Sequence, residues 1–445
     1  MSEPTRHPRQ VFVWLHRYVG LAMAAFLIIE GVTGSLIAFR SDLSALLDPR
    51  FVASPPAPGA ERLDLATLAE RAEALAPKAQ VAYFASNRQD QAVLRVTPRK
   101  NPETGKPYAI DFGIIVLDPW TGKELGRVPF NRYTDGFVHQ IMPFVYDLHT
   151  SLALGGAGAW ALAILAIVWT IDCFVGFYLT LPVSIAGFWR RWKPAWLIKP
   201  KAGFFRLNFD LHRASGLWLW PMLFVFAWSS VTLLDKAGVY DWTMSKLFDY
   251  PFEQFMMTLF PYHEDEGPPK LDWRAAQAAG ERLMAEQAAK QGFKIEKPIS
   301  LNHLISSRLY NYTVRTDRSF PEEKAETVFF SADTGAFHAV FPINTGHSGL
   351  TITNWLRALH MIQDPVDYVV YRVFVCAIGL VIAMLSVTGV YIWWKKRCAR
   401  IKSRRVPAGA SPARVSRSWR SVVSVAWTSA TAAAKRTQQS RGVRH

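Results

Sequence analysis

Four apolar runs decide what this chain can become. Residues 18–39, 159–181, 217–234 and 368–394 are each about as long as the roughly 20 helical residues that a ~30 Å hydrocarbon core demands. In lipid every backbone N–H and C=O must be satisfied within the segment, so such runs are expected to be helices. The helix of the third run is expected to start near His212. Arg6, Arg9 and Arg17 lie before or at the start of the first run, as in a signal peptide. Its apolar part is too long for one, however, and no small-residue cleavage site follows, so the sequence predicts a retained helix.

Lys and Arg in the short flanks set the expected orientation. Arg6, Arg9 and Arg17 precede the first run; Arg190, Arg191, Lys193, Lys199, Lys201 and Arg206 fill the short loop between the second and third; Lys395-Lys396-Arg397 follows the fourth. All three flanks belong in the cytoplasm, with both termini, and the two long segments belong outside. The expected division is an N-terminus and first transmembrane helix (1–41), an outer module (42–145), a second helix (146–184), a cytoplasmic loop (185–210), a third helix (211–235), a second outer module (236–358), a fourth helix (359–396) and a tail (397–445). No acid occurs after Asp367. The basic, Ser- and Ala-rich tail is expected to be disordered near anionic lipid headgroups, and not to bind nucleic acid.

The chain repeats itself. Leu15-His16-Arg17-Tyr18-Val19-Gly20-Leu21 and Leu211-His212-Arg213-Ala214-Ser215-Gly216-Leu217 both read LHRxxGL, 196 residues apart. Leu148-His149 and Leu359-His360 precede the second and fourth runs, 211 residues apart. Each outer segment has a helix with a small apolar stripe (Leu65, Leu68, Ala69, Ala72; Ala276, Ala279, Gly280, Leu283). Strand-like runs follow at 92–97 and 110–117 in the first segment, and at 310–316 and 327–331 in the second. Each then reaches a Thr-Gly turn, Asp118-Pro119-Trp120-Thr121-Gly122 or Asp333-Thr334-Gly335, where Asp suits backbone N–H groups and Gly a positive φ. The expected fold is a membrane α-helical protein: a four-helix transmembrane bundle from two repeats, with two small α+β outer modules.

Four histidines therefore stand at equivalent helix ends, His16 with His212 on the cytoplasmic side and His149 with His360 on the outer side. Pseudo-two-fold packing would bring each pair face to face in the bundle core, where cofactor sites are built. Haem iron with two axial imidazoles suits that arrangement. Two haems of b type are expected, roughly 15–20 Å apart across the ~30 Å core. Arg17 and Arg213 adjoin the inner pair and could hold haem propionates. His139, ten residues before His149, is an alternative outer ligand. A single helix-end histidine is more often an interface residue or cap; four in repeat register favour ligation. His263, His303, His338 and His347 read as ordinary outer-segment residues. Glu30 and Asp172 are intramembrane acids, suited to proton movement or to interhelical hydrogen bonds.

Cys173, Cys376 and Cys398 form no CxxC, which excludes a thiol–disulfide carrier motif and a zinc site built on cysteine pairs. Gly155-Gly156-Ala157-Gly158 follows no strand and fails the context of a nucleotide loop. Electrons would have to come from a cytoplasmic reductase or from membrane quinol.

The LHRxxGL motifs at 15–21 and 211–217, LHxSLxLG at 148–155 and LDPWTG at 117–122 together resemble the PepSY-associated transmembrane family of bacterial inner-membrane proteins, over about 11–398. The resemblance implies PepSY-like periplasmic modules. It also implies membrane haem and one-electron reduction of a ferric siderophore, which would loosen the iron. A different class of function, also associated with PepSY modules, is regulation: restraint of a periplasmic peptidase, with the histidines structural. A permease has the least support, given four spans with few polar residues.

Overall fold

The computed structural model describes residues 8–86, 91–130, 136–252, 256–257, 267–317, 325–341, 346–362 and 368–404. The first half of the chain runs α1 (Pro8–Ile37), α2 (Arg40–Leu47), α3 (Leu65–Leu75), β1 (Ala79–Ser86), β2 (Ala92–Pro98), β3 (Phe112–Leu117), β4 (Glu124–Pro129), α4 (Phe137–Ser151), α5 (Gly155–Thr180) and α6 (Phe188–Trp192). The second runs α7 (Phe204–Trp218), α8 (Trp220–Leu233), α9 (Val239–Leu247), α10 (Trp273–Gln291), β5 (Ile295–Leu304), β6 (Leu309–Thr316), β7 (Ala325–Ser331), β8 (Phe337–Phe341), α11 (Ser348–Met361) and α12 (Val369–Arg404). Residues Ile392–His445 form a second unit, of which the end of α12 is the described part. The expected tail thus begins as helix through Arg404; the rest of it, like His263, lies outside the described residues.

Three helices, α1, α5 and α12, are long and apolar enough to cross a membrane. The third expected span departs from a straight helix. It is a pair, α7 and α8, bent by 69° at Leu219. Pro221 explains the break: it has no N–H for the carbonyl of Leu217, and its ring crowds that oxygen. The pair counts as a fourth candidate span only if taken as one broken crossing. His212 accordingly sits on α7, across the bend from the apolar α8.

The helices cross where side chains vanish. A Cβ on Gly31 of α1 would collide with the carbonyl of Gly379 on α12, and one on Gly379 with Gly31 O and Ser35 Oγ. Ser35 Oγ donates to Cys376 O across the same crossing at 2.9 Å. Small residues at membrane helix crossings let backbones approach and hydrogen bonds form. The repeat-equivalent positions, Ala227 on α8 and Ala166 on α5, are also small and buried.

The modules are two four-stranded antiparallel sheets in simple order, β1-β2-β3-β4 and β5-β6-β7-β8. Alternate residues of β2 (Ala92, Leu94, Val96) and of β6 (Tyr310, Tyr312, Val314) are buried, as strands with one covered face require. α3 covers the first sheet through Leu65, Leu68, Ala69 and Ala72, the predicted stripe. α10 covers the second; a Cβ on Gly280 would meet Tyr312 at 2.6 Å. In the first turn Asp118 Oδ1 accepts from Trp120 N at 2.8 Å, and Gly122 takes φ +68°. The second turn differs from expectation. Ser331 Oγ takes Asp118's part, accepting from the N–H groups of Asp333 and Thr334, both at 3.3 Å. Asp333 instead pairs with Arg308 at 2.6 Å.

The two modules share one apolar cluster that runs from Leu68, Val81 and Leu94 to Met284, Leu301 and Phe330. Polar groups complete the join. Asn302 Oδ1 accepts from Phe84 N at 2.7 Å, Gln277 Oε1 accepts from Ala66 N at 2.8 Å, and Arg274 reaches Asp64 and Glu70. Asn302→Ala should leave the buried Phe84 N–H without its acceptor and cost about 1–3 kcal/mol, read as a lowered thermal midpoint of the purified protein.

His303 lies buried in the second module, its ring 5.0 Å from that of Tyr310. Burial, and then the nearby Arg308 charge, push its pKa down to about 4. Between pH 6.5 and 4 the unfolded chain binds more protons at this residue than the folded one. Its contribution is therefore complete above pH 6.5 and lost as pH falls towards 4. His303→Gln should flatten the slope of unfolding midpoint against pH across that window.

Candidate functional site

Both expected histidine pairs are present. The rings of His16 (α1) and His212 (α7) have centres 6.1 Å apart, and those of His149 (α4) and His360 (α11) 6.3 Å apart. Two imidazoles binding one metal through ring nitrogens at ~2.0–2.1 Å each would place their centres about 6.3 Å apart. Along α1, His16 and Thr33, which touches His149, are 17 residues apart, or roughly 25 Å of helix. The pairs therefore lie at two depths of the bundle.

His149 and His360 do not sit on extended spans, as the sequence reading required. Each is near the end of its own helix, α4 or α11, and the chain then turns through a left-handed residue, Leu152 (φ 52°) or Ile362 (φ 54°). The first turn is tight: Ala153 and Gly155 are also at positive φ, and a Cβ on Gly158 would collide with Ser151 O. The glycine-rich 155–158 stretch thus lets α4 fold back onto α5.

Each ring is fixed by a hydrogen bond at Nδ1. His16 Nδ1–H donates to the Asp172 carboxylate at 2.9 and 3.0 Å, and His212 Nδ1–H to Leu385 O at 2.9 Å. His149 Nδ1 is 3.0 Å from Thr33 Oγ1 and 3.1 Å from Glu30 Oε2; His360 Nδ1 is 2.7 Å from Ser229 Oγ. Thr33 and Ser229 already donate their hydroxyl protons to Ile29 O and Phe226 O. With those protons so placed, the hydroxyl oxygens can accept from the imidazoles. With Nδ1 protonated towards these acceptors, each ring keeps its Nε2 lone pair for a metal, the arrangement that orients histidine ligands.

Glycines make room for the rings. A Cβ on Gly34 would lie 3.1 Å from His149 Cε1, on Gly389 3.2 Å from His212 Cε1, and on Gly176 3.5 Å from His16 Cε1. The module-side pair borders a cavity of about 630 Å³, lined by His149, His360 and Glu30 among apolar residues that include Leu27, Phe226 and Val375. That is within the size range of cofactor pockets. Glu30 Oε1 is buried in this lining with no hydrogen-bond partner. Among the described residues no group of three or more His, Cys, Asp or Glu could hold a bare metal ion. Paired imidazoles beside a roomy apolar cavity fit haem, whose porphyrin supplies the other ligands.

The remaining candidates sort themselves. Glu30 and Asp172 are the partners of His149 and His16. His139 lies 3.2 Å from Asp48, away from both pairs, and His347 lies 2.5 Å from Asp249. Arg213 bonds Pro194 O and the fully buried Asp210, which also holds Arg206; its own Nε is buried without a partner. Arg17 stands on α1 beside His16. Sequence reading missed Thr33 and Ser229, although they are 196 residues apart, the spacing of His16 and His212. It also missed Gly176 and Gly389.

Fold and site define a helical membrane protein built from a doubled unit, with an imidazole pair at each of two depths. The chain belongs to the PepSY-associated TM region family, which it matches over residues 13–397. No curated protein matches it.

Ser229→Ala should destabilise the protein by about 1–3 kcal/mol by stranding the His360 N–H. Thr33→Val should cost less, because Glu30 remains to accept from His149. Thermal unfolding of the two purified variants checks the order.

Proposed function

We propose that this protein is a di-haem electron carrier of a bacterial inner membrane, with four crossings and both termini in the cytoplasm. His16 and His212 ligate one haem b, His149 and His360 the other. The carrying observation is that all four histidines stand in pairs at metal-sharing distance with Nδ1 already occupied. Haem so held would supply one-electron storage between its ferric and ferrous states. The chain's own residues orient the ligands through Asp172, Leu385 O, Thr33, Glu30 and Ser229. The apolar helices exclude water around them, and Arg17 and the unpaired Nε of Arg213 offer cations to the propionates of the inner haem.

The electron enters from a cytoplasmic reductase or membrane quinol and leaves towards the PepSY-like modules in the periplasm. The acceptor is a ferric siderophore. One electron converts Fe(III) to Fe(II), which oxygen-rich chelators hold far less tightly, so iron is released.

The purified protein should be coloured, with a Soret band and α and β bands on reduction, and two haems per chain. His16→Ala or His212→Ala should remove one haem, His149→Ala or His360→Ala the other, and His139→Ala neither. The dithionite-reduced protein should be reoxidised by a ferric hydroxamate, with Fe(II) captured by a ferrous chelator. A well-folded but colourless protein would end this reading and favour the regulatory one.

A further inference from the structure

Of the four rings, His16 alone hydrogen-bonds a carboxylate, through Nδ1 to Asp172 Oδ1 at 2.9 Å and Oδ2 at 3.0 Å. His212 turns to neutral oxygens, Leu385 O at 2.9 Å and Thr388 Oγ1 at 3.2 Å. At the other depth both rings meet hydroxyls, His149 that of Thr33 at 3.0 Å and His360 that of Ser229 at 2.7 Å. Glu30 Oε2 comes within 3.1 Å of His149 Nδ1, but Thr33 takes the ring's hydrogen bond and Glu30 Oε1 has no partner. The Asp172 side chain is 12% exposed, and among the described residues no Lys or Arg forms an ion pair with it. Nor does the fold demand an acid there. The 213-residue offset that relates Gly176 to Gly389 places Leu385 at its position, where a backbone carbonyl serves His212. An acid inside a span is costly, and its retention marks a function. A carboxylate bonded to Nδ1–H makes the imidazole a stronger donor to a metal at Nε2. Stronger donation and a nearby negative charge both favour the ferric state over the ferrous.

We propose that Asp172, acting through His16, sets the iron of the His16–His212 pair at a lower reduction potential than the iron of the His149–His360 pair, so that an electron runs downhill from the cytoplasmic side towards the modules. This rests on the reading that both pairs hold haem. Asp172 is a positioning residue: it touches His16, not the iron. One electron leaves the lower-potential iron and one arrives at the other; no bond and no proton changes hands.

The test is an equilibrium redox titration of the full-length purified protein, followed by its α band and needing no turnover. Wild type should titrate in two steps. The haem left in His149→Ala or in His360→Ala should match the lower one. Asp172→Asn should raise that step and leave the other in place. A tenfold preference for the ferric state, the low end of what such hydrogen-bond partners are worth to a bound metal, corresponds to about 59 mV for one electron. Asp172→Glu, which keeps the charge, should stay near wild type. Glu30→Gln should move the module-side step by less than Asp172→Asn moves the other. The order of the wild-type steps decides the direction of flow even if Asp172→Asn does not fold. Coincident steps, a lower step that belongs to the module-side haem, or an Asp172→Asn protein with unshifted potentials would each overturn the proposal and leave the di-haem reading intact. Wild type without haem overturns both.

Discussion

An imidazole N–H in an apolar bundle needs an acceptor, and that requirement organises the helices. Each ring draws its acceptor from another helix: His16 from α5, His212 from α12, His149 from α1 and His360 from α8. The hydrogen bonds therefore set ring orientation and helix register together. An unsatisfied N–H in this setting would cost as much as a lost hydrogen bond in a protein core. The glycines opposite the rings belong to the same constraint, since the acceptor helix must approach closely enough to be reached.

The two halves meet this requirement with different chemistry. Asp172 accepts from His16, while its counterpart Leu385 offers only a backbone carbonyl to His212. Glu30 backs up Thr33 at His149, while its counterpart Phe226 packs its ring 5.2 Å from that of His360. Both carboxylates thus belong to the first half. Duplication supplied the frame, and divergence gave one ligand of each pair the stronger hydrogen-bond acceptor. Carboxylate-bonded imidazoles are more basic ligands than those bonded to a neutral oxygen. Under the proposed function, each iron would see two unequal axial donors.

The frame was legible because long apolar runs, LHRxxGL spacing and small-residue stripes each have one physical reading. The α3 and α10 stripes fell where expected, and so did β2, β3, β6 and β7. The bend at Leu219 was not read because hydropathy sums over Pro221 without registering a lost N–H. The separate helices bearing His149 and His360 were missed for a related reason. Non-glycine residues at positive φ, Leu152 and Ile362, leave no compositional trace. The edge strands β1, β4, β5 and β8 are short or mixed in polarity. The acceptors Thr33 and Ser229 look like ordinary membrane-helix hydroxyls until superposed through the repeat.

The shared core of the two modules bears on how the chain is made. The apolar cluster that holds Val81, Leu94 and Ile115 is completed only when Leu283, Met284 and Leu301 arrive, about 200 residues later in synthesis. The first module must therefore wait, partly uncovered, while α5, α6, α7 and α8 are laid down. Biogenesis of the doubled chain is a closing of two ends on one another, and its vulnerable period is the interval between them.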